Sequence, residues 1–170
     1  SIKQVAVLKG GSSLERQVSL RSGARVAEAL RDRGYSVTEI DVDEQLVERL
    51  TGAGFDAVFV AMHGRGGEDG TMQELLEILG LPYTGCGVLA SIQCMDKTLS
   101  KLKFEQAGIP TPEFVSFNDT AFRNLGAADA LDSIEQRFGF PLVVKPARQG
   151  SALGIKFAAD RAEMPAALVS

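Results

Sequence analysis

The chain has 170 residues, 45% of them hydrophobic and 24% charged, with 18 glycines, the composition of a globular protein rich in tight turns. A formal charge of −4 and an isoelectric point near 5.1 exclude the basic face that a duplex nucleic-acid binder carries, but not a nucleotide site, which needs only a few local cations. Cys86 and Cys94 stand eight apart beside a single histidine, which excludes a structural zinc site and leaves two reduced thiols. No apolar run reaches membrane-spanning length and the first twenty residues lack a signal-peptide core, so the expectation is a cytoplasmic chain without membrane or nucleic-acid partners.

Val5–Leu8 is a short apolar run ending at Gly10-Gly11, a strand entering a glycine turn. Ser12 to Glu15 has the S-x-x-E form of a capping box, opening a helix with Leu20, Ala24, Ala27 and Leu30 on one face and Gly34 as its stop. The double glycine does not fit the G-x-G-x-x-G dinucleotide fingerprint. Ser36–Val42 is expected as a second strand, Glu44–Leu50 as a helix, and Asp56–Met62 as a strand covered on both faces. This alternation indicates an α/β open parallel sheet with right-handed crossovers.

Residues 63–70, HGRGGEDG, are poor material for a core and good material for a binding loop at the carboxyl edge of a sheet, ahead of a helix over Thr71–Leu79. If the first strand lies between the second and third, Glu15 and His63 both enter the crevice at the topological switch point. A carboxylate beside an imidazole suits an ammonium-bearing substrate. Glu15 also has a capping role open to it, and His63 a bond to its own loop.

Leu81–Thr84 reads as a brief strand, Val88–Met95 as a short helix, and Asp96-Lys97 as the start of another helix running to Ala107. Gly108-Ile109-Pro110-Thr111-Pro112 breaks the chain, and a boundary placed near Asp96 to Pro112 gives domains 1–96 and 97–170. Glu113–Phe117 is expected as a strand, Ala127–Phe138 as an amphipathic helix, and Asp160–Val169 as a helix if Pro165 lies in its first turn. Between them, Phe140–Lys156 reads as a strand over Pro141–Val144, Lys145 at its end, a small-residue loop at 148–154, and a second strand opening near Gly154. Such a loop can close over a polyphosphate that Lys145 neutralises, and it is equally an ordinary hairpin whose lysine reaches solvent.

Four stretches, GGSSLERQVSLRSG (10–23), HGRGGEDGTMQELLEILGLPYTGCGVLAS (63–91), MDK (95–97) and FPLVVKPARQGSALGI (140–155), together resemble the D-alanine–D-alanine ligases, which are ATP-grasp enzymes. The resemblance implies a Rossmann-like domain followed by the first part of an ATP-grasp domain, within a protein about twice this length. It implies that Glu15 orients the ammonium of a first D-alanine, that His63 lies beside that substrate, and that Lys97 and Lys145 hold ATP phosphates. It further implies that Ser151 hydrogen-bonds toward the first substrate and helps close the site. The implied reaction forms an acyl phosphate on one D-alanine, which the amine of a second then displaces. The resemblance also implies Mg2+, with its ligands beyond residue 170, and a cytoplasmic homodimer serving peptidoglycan synthesis. The 170-residue chain alone is expected to be inactive.

The sequence departs from the family pattern at Gln149 and Ala152, where the loop usually carries Glu and Ser. Three other readings remain at this stage. They are a non-catalytic nucleotide- or amino-acid-binding module, a D-alanine–D-lactate ligase, and a nicotinamide oxidoreductase, the last disfavoured by the missing fingerprint.

Overall fold

Four consecutive apolar residues, Val5–Leu8, are buried because β1 (Gln4–Lys9) is the middle strand of a parallel sheet. β2 (Ser36–Asp41) lies on one side of it and β3 (Ala57–Val60) on the other, with Val7 level with Glu39 and Phe59. The computed structural model describes residues 2–118, 120 and 131–168, and divides into two units, Ser1–Met95 and Asp96–Ser170. Among the described residues no helix is long and apolar enough to cross a membrane.

In the first unit, strand alternation sends Ala6 and Leu8 to one face and Val7 to the other. Ala6 and Leu8 join Ile40, Val58, Met72 and Leu76 beneath α2 (Leu46–Leu50) and α3 (Thr71–Ile78), while Val7 packs with Ala27 and Ala61 beneath α1 (Arg16–Asp32). The sheet is thus covered on both faces. The run 56–62 is covered as expected, but it is not central. Among the described residues β3 has β1 on one side and, on the other, a single parallel bridge from Val58 to Tyr83. The strand expected over Leu81–Thr84 shrinks to that bridge and two flanking bonds, Val58 N–H to Pro82 O and Thr84 N–H to Val58 O. α4 (Val88–Met95) closes the unit.

α1 contacts the sheet through only part of the face its apolar residues suggest: Ala27 and Leu30 pack there as expected, but the stripe continues through small residues. Its buried positions are Ser19, Gly23 and Ala27, one turn apart, whereas Ala24 is exposed and Leu20 half-buried. Small residues allow a close approach: a Cβ on Gly23 would lie 2.6 Å from Cβ of Lys9 on β1. The capping box is also absent. The helix begins at Arg16, and Glu15, at the N-cap position, makes no side-chain cap bond. The hydroxyl of Ser13 accepts from the Glu15 N–H at 3.1 Å instead.

In the second unit, α5 (Lys97–Gln106) is capped by Asp96, whose carboxylate accepts from the N–H groups of Thr98 and Leu99. The strand expected at Glu113–Phe117 does not form. Among the described residues the sheet here has two strands, β4 (Leu142–Val144) and β5 (Lys156–Ala158), paired antiparallel, and residues 113–117 join neither. That segment is tethered through side chains: Lys101 Nζ donates to Thr111 Oγ1 and Pro112 O, both at 2.6 Å, and lies 5.0 Å from the Phe114 ring centre. α6 (Leu131–Phe138) and α7 (Met164–Leu168) pack on β4 and β5, with Ala158, Met164 and Ala167 buried among Leu131, Ile134, Leu142 and Val144. Residues 127–130 of the expected helix lie outside the described residues. Pro165 falls in the first turn of α7, where its missing N–H costs nothing.

Gly→Ala inside a helix ordinarily stabilises by about 0.5–1 kcal/mol. At Gly23 the sign should reverse, because the added methyl meets the root of a strand side chain; the expected cost is about 1–3 kcal/mol. Urea unfolding of Gly23→Ala measures it, and a gain in stability would mean that α1 does not sit this close to β1.

Candidate functional site

In the first unit the turn after β1 and the loop after β3 meet at the carboxyl edge of the sheet. Ser13 links them: its hydroxyl donates to His63 O at 2.8 Å while accepting from Glu15 N–H. Gly64 has φ +68, and a Cβ there would fall 2.5 Å from Glu15 Oε2 and 3.6 Å from Ser13 Oγ. Both the left-handed backbone and the contact call for glycine. The Glu15 carboxylate therefore lies against the residue that follows His63. Through Ser13, a serine bridge rather than two separate loop ends brings Glu15 to the backbone of His63-Gly64.

The His63 ring is held on one side and faces a carboxylate on the other. Nε2 lies 2.9 Å from Ser22 Oγ on α1, and Nδ1 lies 3.8 Å from Glu68 Oε1. Glu68 Oε2 accepts from Gly64 N–H at 2.6 Å, and Asp69 accepts from the N–H groups of Gly66 and Thr71. The acidic side chains of the HGRGGEDG loop thus hold its own backbone in shape. Burial alone would raise the Asp69 carboxyl, yet its hydrogen bonds to Gly66 and Thr71 hold it below the usual range. Sequence reasoning missed Ser13 and Ser22. Ser13 lies just before α1 and Ser22 in its second turn, and only the packed structure shows them bonding to a residue some forty to fifty positions away.

In the second unit Lys145 follows β4 directly and the small-residue loop follows Lys145. The loop is tied to the start of α5 at three points. Lys97 N–H donates to Ala147 O at 2.9 Å, Lys97 Nζ to Gln149 O at 2.6 Å, and Arg148 Nε to Asp96 Oδ2 at 2.8 Å. Gln149 meets Lys97 through its backbone carbonyl, so the change of side chain at 149 leaves this contact intact. Ser151 and Ala152 both have left-handed backbones, φ +50 and +58, and Leu153 N–H closes a turn onto Gly150 O. That conformation costs roughly 1–2 kcal/mol per non-glycine residue, so the loop is held in shape rather than loose.

Burial and the neighbouring charge of Lys145 pull the Lys97 ammonium below its ordinary range, with Asp96 opposing them. Two ammonium groups close enough to repel each other form a place for an anion. Burial would push the Asp96 carboxyl up, but the Arg148 guanidinium and the Leu99 and Thr98 N–H groups outweigh it and hold it below the usual carboxylate range. Beside these groups a cavity of about 590 Å³ opens among Phe114, Phe138, Leu142, Val144 and Lys145.

Comparison with known proteins matches residues 47–86 to the D-ala D-ala ligase N-terminus and residues 103–170 to the D-ala D-ala ligase C-terminus. A D-alanine--D-alanine ligase from an Anaeromyxobacter species is 50% identical over 162 residues, which are 95% of this chain and 51% of that protein. The chain belongs to the D-alanine–D-alanine ligase family. The fold agrees: the crystal structure of D-alanine--D-alanine ligase from Bacillus anthracis superposes with a TM-score of 0.81 at 36% identity, over 98% of this chain and 52% of that one. The same Bacillus anthracis ligase complexed with ATP gives a TM-score of 0.79 at 34% identity, over 99% and 52%. The chain spans about half the length of the ligases it matches.

In this member of the ligase family the Asp96–Arg148 pair and the α5 cap share one carboxylate, so both act on a single titration. A carboxyl whose pKa is lowered on folding stabilises the folded state above its unfolded pKa, and that stability is lost as pH falls through the folded value. Asp96→Asn can still cap α5 but turns an amide N–H₂ toward Arg148. In acid titrations followed by circular dichroism, stability should fall less steeply below about pH 4 in Asp96→Asn than in the parent chain. Equal slopes would show that the Asp96 carboxyl is not held below its ordinary range on folding.

Proposed function

We propose that this chain supplies the first-substrate contacts and part of the phosphate contacts of a ligase that joins two D-alanines at the expense of ATP. The observation that carries the reading is the Glu15 carboxylate lying against His63-Gly64, in a chain whose relatives bear the ligase name. Glu15 pairs with the ammonium of the first D-alanine, and His63 lies beside it. Lys97 and Lys145 neutralise the ATP phosphates, a role supported by their mutual repulsion and by a Bacillus anthracis relative solved with ATP. Ser151, in its left-handed turn, hydrogen-bonds toward the first substrate.

The carboxylate of the first D-alanine takes the γ-phosphoryl group and ADP leaves; the amine of the second D-alanine attacks the acyl phosphate, and phosphate leaves. Negative charge moves between oxygens in both steps, so positioned cations and hydrogen-bond donors matter more than a protein nucleophile. Magnesium belongs to the family's expected chemistry, but the described residues hold no group of three or more His, Cys, Asp or Glu side chains suited to a metal, so no step is assigned to it. The reading extends to a Rossmann-like domain over 1–96, the first ATP-grasp subdomain over 97–170, and a cytoplasmic homodimer making peptidoglycan precursors. Because the chain spans half the relatives' length, turnover is proposed only for the complete enzyme, and none is expected from these 170 residues.

The test joins this chain in frame to the part of the Anaeromyxobacter ligase that it does not cover. The chimera should release ADP in a D-alanine-dependent manner. Glu15→Gln should raise the KM for the first D-alanine or lower kcat by more than tenfold, about 1.4 kcal/mol or more. A folded chimera that releases no ADP would contradict the ligase reading, and a change below about twofold would remove Glu15 from the site.

A further inference from the structure

The contacts of Ser22 decide which nitrogen of His63 carries the proton. Ser22 Oγ lies 2.8 Å from Val18 O, one turn back on α1, and 2.9 Å from His63 Nε2. A serine hydroxyl has one proton and two lone pairs. Val18 O has only lone pairs to offer, so its short contact is a hydrogen bond only when the hydroxyl proton points to it. Ser22 then presents a lone pair to the imidazole, and Nε2 must be the donor. In the opposite arrangement the hydroxyl proton would point at Nε2, and two oxygens would face each other at 2.8 Å with no proton between them. One assignment makes both short contacts hydrogen bonds; the other makes one of them repulsive.

We propose that Ser22 is a positioning residue that holds neutral His63 as its Nε2–H tautomer. Nδ1 then keeps its lone pair. It faces Glu68 Oε1 at 3.8 Å, beyond hydrogen-bond length, and Glu68 is itself fixed through Gly64 N–H. The ring therefore turns an acceptor, not a donor, toward an acidic loop, with the Glu15 carboxylate against the adjoining Gly64. This arrangement suits a ligand bearing a donor cation, such as the ammonium of an amino acid. Only that identity rests on the ligase reading; the tautomer stands on the hydrogen bonds alone.

The chain has a single histidine, so long-range proton–nitrogen NMR of the labelled protein reports this ring without overlap. Measured above the ordinary titration range of imidazole, the parent chain should show Nε2 with the shift of a protonated nitrogen and Nδ1 with that of a bare one. Ser22→Ala should move both nitrogens toward averaged values as the tautomers exchange, and Ser22→Thr, which keeps the hydroxyl, should restore the parent pattern. An Nδ1–H or averaged pattern in the parent would overturn the proposal, as would a Ser22→Ala spectrum identical to the parent. Should Ser22→Ala fail to fold, the parent spectrum and Ser22→Thr decide alone. Added D-alanine should shift Nδ1; an intact Nε2–H pattern that ignores D-alanine supports the Ser22 assignment and counts against the substrate reading.

Discussion

The first unit depends on one buried hydroxyl. Ser19 is fully buried, accepts from Gly10 N–H at 2.8 Å and donates to Ala61 O at 2.8 Å. Gly10 follows β1 and Ala61 follows β3, so a single side chain of α1 joins the carboxyl ends of two neighbouring strands. Without it, a buried donor and a buried acceptor would lose a partner, at a cost of about 1–3 kcal/mol each. The helix is thereby placed in rotation and height over the sheet edge, and with it Ser13, Glu15 and Ser22, the residues that meet the loop after β3.

The second unit solves a similar problem with charge. Its loop must place lysines near one another, which is unfavourable until an anion arrives. Asp96 offsets part of that cost: it caps α5, pairs with Arg148 on the loop, and lowers the repulsion at Lys97. The Arg148 side chain is 80% exposed, so the pair by itself adds little stability. Its effect is on position, because Lys97 donates to two carbonyls of the same loop. Chemistry that transfers a phosphoryl group gains most from such placement.

Much of this was legible in the residues. The continuous apolar run of β1, the alternation of strand and helix, the glycine-rich loops and the four motifs together indicated the sheet, its switch-point crevice and the family. What could not be read was set by packing. Of the expected α1 face, Ala27 and Leu30 pack on the sheet, but apolar character also pointed to Leu20 and Ala24, where the close approach to Lys9 selects the small residues Ser19 and Gly23. Glu15 looked like a cap because S-x-x-E is a local pattern, yet its carboxylate lies against Gly64, a long-range contact. Glu113–Phe117 has strand composition but, among the described residues, pairs with no strand. Asp96 was readable as a cap from its place before the helix, but its bond to Arg148 was not.

The most direct test of the claim that Ser19 sets the site is amide hydrogen exchange in Ser19→Ala. The Gly10 amide should exchange much faster than in the parent chain, and the signals of Glu15 and His63 should move, while amides in the β1–β2 ladder keep their protection. A variant whose Gly10 amide is as protected as before, with unmoved Glu15 and His63 signals, would show that the crevice is held by other means.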